Sequence, residues 1–152
     1  MARLKIGDVF EITTTKGKGY FQYVHKDEMM GQLIRLLPNL YEESHIFESE
    51  LVKEKEMYLV HFPLGSALEQ KVVRIKGNYE VPRDFVLPKK FRSKHTIKGE
   101  FVGWHIIDYE TLAREKVQEL TNEQKQLSPW GTWNDTLLKE RMEHGWTLND
   151  WT

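Results

Sequence analysis

The side chains best suited to acid–base or metal chemistry in this chain are its histidines. There are six, and the intervals between them run from 10 to 39 residues: His25, His45, His61, His95, His105 and His144. Local zinc sites use much shorter separations between their ligands. The spacing therefore predicts no metal site within one segment, although it leaves open a site assembled from histidines that are distant in the chain.

Two of these histidines lie in apolar segments that are typical of central strands, namely His61 in "YLVHF" and His105 in "VGWHIID". A histidine at such a position is more often a hydrogen-bonded core residue than a catalyst. Asp108 follows His105 by three residues, and side chains an odd number of residues apart on a strand point to opposite faces. We therefore interpret both histidines as core residues.

Sequence motifs of the common enzyme classes are absent. The chain contains no G-x-G-x-x-G, no G-x-x-x-x-G-K-[ST], no H-E-x-x-H and no G-x-S-x-G. The sequence therefore gives no support for nucleotide binding, zinc-dependent hydrolysis or α/β-hydrolase chemistry. It also has no cysteine, which removes disulfides, thiolate metal sites and cysteine nucleophiles. We predict a protein that is not an enzyme, with no catalytic residue, metal or cofactor.

Length and composition predict one globular domain that covers residues 1–152. The chain is 39% hydrophobic and 30% charged, and its net charge of −1 gives no general attraction to nucleic acid or anionic lipid. No apolar run approaches the roughly 20 residues that a membrane-spanning helix needs. The first residues, "MARLKIGDVF", lack the apolar stretch of a secretion signal. We expect a cytoplasmic protein with no membrane partner.

Charge is unevenly distributed along the chain. The segment from Glu42 to Glu56 carries six glutamates and two lysines, whereas Pro88 to Lys98 carries five cationic side chains and no acid. The acidic segment also contains Ile46, Phe47, Leu51 and Val52. Charges around a few apolar anchors suit a protein interface. The alternative is that the apolar side chains face the core and leave solvated glutamates outside.

Five residues of this acidic segment are the first candidates for contact with a partner protein. They are Glu42, Glu43, Phe47, Glu48 and Glu50.

The first two thirds of the chain have the pattern of antiparallel strands. "VFEITT" and "YFQYVHK" flank a glycine turn, "TKGKG", and "QLIRLLP", "EMYLVHFPL", "KVVRI" and "GEFVGWHIID" continue the series. Both faces of "EMYLVHFPL" are apolar, which predicts a central strand covered on each side. The stretch from Arg83 to Lys98 contains Pro88 and the basic run, and we predict a surface loop there.

After Asp108 the spacing of apolar residues changes from that of a strand to that of a helix. "YETLAREKVQEL" predicts a helix over 109–120, and "TNEQ" at 121–124 is typical of a capping box. In "NDTLLKERMEHG", Asn134 or Asp135 suits the N-cap of a helix that ends at Gly145. The resulting fold class is α+β: an antiparallel, strongly twisted sheet or half-barrel, with C-terminal helices packed on it.

Four of the five tryptophans fall within the last 24 residues. Trp104 and Trp146 are predicted to lie in the core and at a helix C-terminus. Trp130 and Trp133 precede the last helix and are expected to pack onto the sheet or, alternatively, to be partly exposed to a partner.

A small β-rich nucleic-acid-binding module is an alternative function. The aromatic stretch "YFQY" at 20–23 would stack bases, and "KKFRSK" at 89–94 would supply positive charge. The near-neutral net charge and the acidic segment argue against this alternative, and we predict no nucleic-acid partner.

Several segments together resemble a known family. "LKIGDVFEITTTKGKGYFQYVHKD", "LIRLLP", "FPLGSAL", "GEFVGWHIID" and "WNDTLLKERMEHGW" are similar to members of the immunity protein 26 family, which is associated with bacterial polymorphic-toxin loci. The similarity extends roughly from Leu4 to Trp146. It implies a non-enzymatic protein that binds a cognate toxin domain and blocks it. Immunity proteins that face basic nucleases are often strongly acidic, so the net charge of −1 leaves the class of toxin open.

Overall fold

A computed structural model describes residues 3–152. This part of the chain forms eight strands and two α helices, which confirms the α+β class. The elements are β1 Asp8–Thr14, β2 Gly17–Asp27, β3 Gly31–Leu36, β4 Tyr58–His61, α1 Leu64–Glu69, β5 Val73–Asn78, β6 Lys90–Ile97, β7 Glu100–Asp108, β8 Arg114–Val117 and α2 Asp135–Glu143. Three short 3-10 helices cover Ser49–Lys53, Gln124–Gln126 and Leu148–Asp150.

The strands form two antiparallel sheets, neither of which closes into a barrel. The larger has the order β4-β3-β2-β1-β5, and the smaller has the order β6-β7-β8. The predicted hairpin at the start is confirmed, with Thr14 opposite Gly17 in the β1–β2 register. No helix of residues 3–152 is long and apolar enough to cross a membrane.

One face of the larger sheet holds the main core. Its side chains come from alternate positions of β1 to β4, and α1 and α2 cover it: Phe10, Ile12, Phe21, Tyr23, Ile34, Leu36, Val60, Leu64, Ala67, Leu138 and Met142 are all buried there. The ends of α2 are as predicted. The Asn134 side chain accepts a hydrogen bond from the Leu137 amide at 2.8 Å, and Gly145 adopts a φ of 63° after the last turn.

The opposite face of the larger sheet buries polar side chains as well as apolar ones. Glu11, Gln22, Arg35 and His61 are almost completely inaccessible on this face. The acidic segment covers part of it, and the smaller sheet covers the rest through Phe91 and Tyr109. Buried polar groups need hydrogen-bond partners, so the polar side chains of this face fix the positions of the segments that cover it.

The segment 128–133 joins the two sheets. The Leu59 amide donates to the Ser128 hydroxyl at 2.9 Å, and the Trp133 amide donates to the His61 carbonyl at 3.0 Å, both on β4. On its other side, the Trp130 amide donates to the Arg92 carbonyl of β6 at 2.7 Å. The prediction that β4 is covered on both faces is confirmed, but the prediction that it is a central strand is wrong, because β4 lies at the edge of the larger sheet.

The predicted helix over 109–120 is wrong. Asp108 accepts hydrogen bonds from the amides of Glu110 and Thr111 at 2.9 and 2.8 Å, so the chain turns there and returns as β8 beside β7. Leu112, the first apolar residue of the supposed helical face, has a φ of 66° and is 40% exposed. Pairing with the edge of β7 outweighs local helix propensity, which is a weak preference.

The predicted surface loop over Arg83–Lys98 is wrong in its second half, where β6 pairs with β7 along its whole length. Phe91 and Arg92 are both fully buried, on opposite faces of the strand. The run of cations predicted a solvent-exposed loop, but Arg92, one of these cations, is buried in the strand. The capping box at Thr121 and Gln124 is present, but it begins only the 3-10 helix Gln124–Gln126.

Candidate partner-binding surface

The second half of the acidic segment is held on the sheet by a buried arginine. Arg35 on β3 donates to the Gln22 side chain at 2.7 Å and to the carbonyls of Glu54, at 2.9 Å, and Val52. Its one carboxylate contact is Glu56 at 3.5 Å. Burial lowers the pKa of Arg35, while the charge of Glu56 opposes that shift. Because the guanidinium binds backbone carbonyls, it fixes the path of the segment rather than one side chain.

The first half of the segment is held by aromatic packing. The Phe47 ring lies between those of Tyr20 and Tyr79, with centroids 5.1 and 5.7 Å away. Tyr41 stacks on His45 at 4.3 Å and exchanges two backbone hydrogen bonds with Lys18 of β2. Phe47 is therefore half-buried and acts mainly as an anchor of the segment.

The outer side of the segment presents carboxylates around one apolar side chain. Glu42, Glu43, Glu48 and Glu50 are all exposed, and Ile46 is 81% exposed. Glu50 pairs with Lys53 at 3.2 Å. The two interpretations of the segment's apolar residues are thus both partly correct: Val52 is buried, Phe47 is half-buried and Ile46 faces solvent. We call this set of five residues, the four glutamates and Ile46, the acidic surface.

A cationic cleft adjoins the acidic surface. Lys18, Lys71, Arg74 and Lys139 line it together with Glu43, which belongs to both features. At its base lies the buried carboxylate of Glu11, which accepts a hydrogen bond from the Tyr20 hydroxyl at 2.8 Å and lies 3.8 Å from Lys18. Burial and this hydrogen bond raise the pKa of Tyr20, so its hydroxyl remains a donor. The two charge signs on adjacent surfaces would orient a charged partner.

Trp133 does not belong to the exposed surface. Its ring is buried in the main core, 5.6 Å from both Tyr58 and Trp146, so the interpretation of Trp133 as a partner contact is corrected. Trp130 is half-buried on the other side of the 128–133 segment, 5.8 Å from both His61 and Phe91. The two tryptophans pack on opposite sides because they are three positions apart in an extended segment.

The aromatic stretch on which the nucleic-acid alternative depends is internal, and so is one cation of its basic run, whereas Lys89, Lys90 and Lys94 are exposed. Tyr20, Phe21 and Tyr23 are no more than 5% exposed, so their rings offer no platform for bases. Arg92 is fully buried between the rings of Trp104 and Trp151, 5.0 and 4.6 Å from their centroids. It donates to the carbonyls of Lys125, Leu127, Leu148 and Trp151 and so holds the C-terminal 3-10 helices on the smaller sheet.

Histidines that are distant in sequence do meet in the fold. His61 lies with its Nε2 2.7 Å from the Tyr109 hydroxyl, and the His25 ring lies 5.8 Å from the Tyr109 ring. Burial lowers the pKa of His61 to about 4, so it is neutral at pH 7. His95 and His105 are both partly exposed and stack at 4.3 Å on the smaller sheet, so the interpretation of His105 as a core residue is wrong, whereas that of His61 is confirmed. Among residues 3–152, no three His, Asp or Glu side chains are grouped closely enough to hold a metal.

Comparisons with known proteins add no relative. No protein-family model, curated protein or solved structure gives a significant match to this chain.

Proposed function

We propose that this protein binds a partner protein through the acidic surface, and that the partner is a bacterial toxin domain which it neutralises. The observation that supports binding is that the segment carrying the acidic surface is not part of a sheet but is held at both halves by specific contacts. Arg35 fixes one half of the segment and the Tyr20–Phe47–Tyr79 stack fixes the other. A surface ordered before binding loses less conformational entropy when the complex forms.

The toxin domain as partner comes from the sequence resemblance to the immunity protein 26 family. A non-enzymatic inhibitor needs a pre-formed surface that is complementary to its target, and it needs no reaction site. Glu42, Glu43 and Glu48 make no ion pair with any residue in 3–152, so their charges are available to a basic partner surface. Ile46 at the centre supplies an apolar contact, the arrangement that supports affinity in protein interfaces.

The test is co-expression with the toxin domain encoded next to this gene, scored as rescue of growth, together with calorimetric measurement of affinity. The wild type is expected to rescue. The double variant Glu48→Lys, Glu50→Lys should bind about tenfold more weakly or worse, because it reverses the charge of two of the four glutamates in the acidic surface. Its free energy of unfolding should change by only about 0–1 kcal/mol, since both side chains are exposed.

The matched control is Glu115→Lys with Glu119→Lys, which reverses two exposed glutamates, one on the edge strand β8 and one two residues after it. It makes the same change in net charge and is expected to rescue like the wild type. Full rescue by the Glu48, Glu50 variant would remove the acidic surface from the interface. Absence of rescue by the wild type would remove this toxin as the partner.

A further inference from the structure

A cavity of about 360 Å³ opens between the end of β3, the start of β4 and the C-terminal end of α2. Its walls are mostly apolar and include Leu36, Leu40, Met57, Met142 and Trp146. The volume lies at the lower end of the range for small-molecule sites, which are typically apolar with a few fixed polar groups. The cavity is distinct from the acidic surface, although Leu40 and Met57 immediately flank the segment that carries it.

Tyr58 supplies the first polar group of this cavity. Its side chain is only 2% exposed, and its hydroxyl has no hydrogen-bond partner in the described part of the chain. The ring is fixed by Trp133 at 5.6 Å and by a perpendicular contact with Trp146 at 5.2 Å. Burial raises the pKa of Tyr58, so the hydroxyl keeps its proton at neutral pH. A buried hydroxyl without a partner is costly, and since Tyr58 lines the cavity, an acceptor bound there would satisfy it.

Arg141 supplies the second polar group. Its guanidinium lies over the Trp146 ring at 4.9 Å and near the Trp133 ring at 5.8 Å, so it approaches the same two tryptophans as Tyr58. Its buried Nε has no hydrogen-bond partner, and the guanidinium forms no ion pair with any residue in 3–152.

The carboxylate that lines the cavity does not neutralise Arg141. Glu143 instead accepts hydrogen bonds from the backbone amide of Thr15, at 2.7 Å, and from its hydroxyl. These two bonds lower the pKa of Glu143, so it is ionised and already satisfied. The cavity therefore offers a cation and a hydroxyl donor on apolar walls, with the adjacent carboxylate bonded to Thr15 in the turn after β1.

We propose that this cavity binds a small apolar monocarboxylate, with the carboxylate between Arg141 and the Tyr58 hydroxyl and the apolar group against Leu36, Met57 and Met142. A guanidinium and a neutral hydroxyl both donate to carboxylate oxygens, and charge-assisted bonds of this kind are the stronger ones. The proposal does not depend on the proposed partner protein, because none of the residues of the acidic surface lines the cavity.

The experiment is titration of the full chain with phenylacetate and with hexanoate. Binding is measured by tryptophan fluorescence and by calorimetry. Trp146 lines the cavity and reports occupancy directly. Phenylacetamide and hexanol are the neutral counterparts. The acids are expected to bind saturably and about tenfold or more tightly than the neutral compounds, which lack the charge that Arg141 recognises.

Two variants locate the site. Tyr58→Phe keeps the ring and removes only the unpaired hydroxyl, so it should fold at least as stably as the wild type while binding the acids about threefold to tenfold more weakly. Arg141→Met should abolish the preference for the acids over the neutral compounds. Lys139→Met removes a cation two residues away on the same helix, outside this cavity, and should bind like the wild type.

The tripeptide Gly-Gly-Leu tests whether the cavity binds the C-terminal carboxylate of a protein chain instead of a small free acid. It is titrated with a free C-terminus and with an amidated one. Saturable binding of the acids that is weaker in Tyr58→Phe and that loses its preference over the neutral compounds in Arg141→Met supports the proposal. Equal binding of acids and neutral compounds, no binding of the acids at concentrations up to about 10 mM, or unchanged affinity in both variants would overturn it. Binding of the free tripeptide without binding of the acids would overturn the assignment to small acids.

Discussion

The stability of this protein should depend on pH through one buried histidine, His61. The side chain is fully inaccessible, its Nε2 meets the Tyr109 hydroxyl at 2.7 Å, and burial lowers its pKa from 6.5 to about 4. Between these two values the unfolded chain binds a proton at this position and the folded chain does not. Stability therefore falls as the pH drops from about 6.5 toward about 4, and it rises again with pH.

The magnitude follows from the two pKa values. At about pH 5 the unfolded imidazole is almost fully protonated and the folded one is almost fully neutral, which costs about 2 kcal/mol relative to pH 7. A domain of this kind has a total stability of about 5–15 kcal/mol, so the loss is easily measured. His61→Gln places an amide nitrogen near the position of Nε2 and cannot titrate, so it should lose about 2 kcal/mol less between the two pH values.

The assay is urea unfolding monitored by tryptophan fluorescence at about pH 7 and about pH 5, for the wild type, His61→Gln and His144→Gln. His144 is exposed, so this last variant is the matched control and should behave like the wild type at both pH values. The quantity compared is the change in unfolding free energy with pH, which tolerates a difference in stability between the proteins at pH 7. Equal losses in the wild type and His61→Gln would refute the assignment of His61 as a neutral buried residue.

Two further predictions concern the smaller sheet. Arg92→Met should lower the free energy of unfolding by about 3–5 kcal/mol in urea unfolding, because four backbone carbonyls lose their donor and the C-terminal 3-10 helices lose their attachment; a loss below about 1 kcal/mol would contradict this. Gly103→Ala should cost about 1–3 kcal/mol in thermal unfolding, because Gly103 has a φ of 146° and its added Cβ would lie 2.6 Å from the Val117 carbonyl oxygen. Gly131→Ala is the control, because Gly131 has a φ of 137° but an added Cβ there has no neighbouring atom within 4 Å. Its loss of stability measures the backbone strain without the clash.

Part of the candidate partner surface was accessible from the sequence and part was not. The acidic segment stands out by composition alone, and Glu42, Glu43, Glu48 and Glu50 are exposed in the structure. Which of its apolar residues face inward depends on Arg35 and on the Tyr20 and Tyr79 rings, which come from other segments of the chain. The cavity beside Tyr58 and Arg141 could not be predicted from the sequence, because these two residues are 83 positions apart in the chain.

Local sequence determined the elements whose signals are local. The glycine turn between β1 and β2, the N-cap at Asn134 and the left-handed Gly145 each depend on one or a few neighbouring residues, and each is where the pattern predicts. The absence of cysteine and the antiparallel strand pattern likewise follow from residue types alone. These features involve short separations, so the sequence contains all the information they need.

Tertiary structure decided what depends on contact between distant segments. The 109–120 stretch has a helical period, yet it turns and forms β8 because the edge of β7 offers it backbone hydrogen bonds. Arg92 belongs to a basic run, yet it is internal because carbonyls from residues 125 to 151 converge on it. Trp133 is buried, and Trp130 is half-buried, because the 128–133 segment that carries them lies between two sheets. Each outcome follows from the same physical cause: a buried polar or edge group takes the partner that the fold brings to it, whatever the local pattern favours.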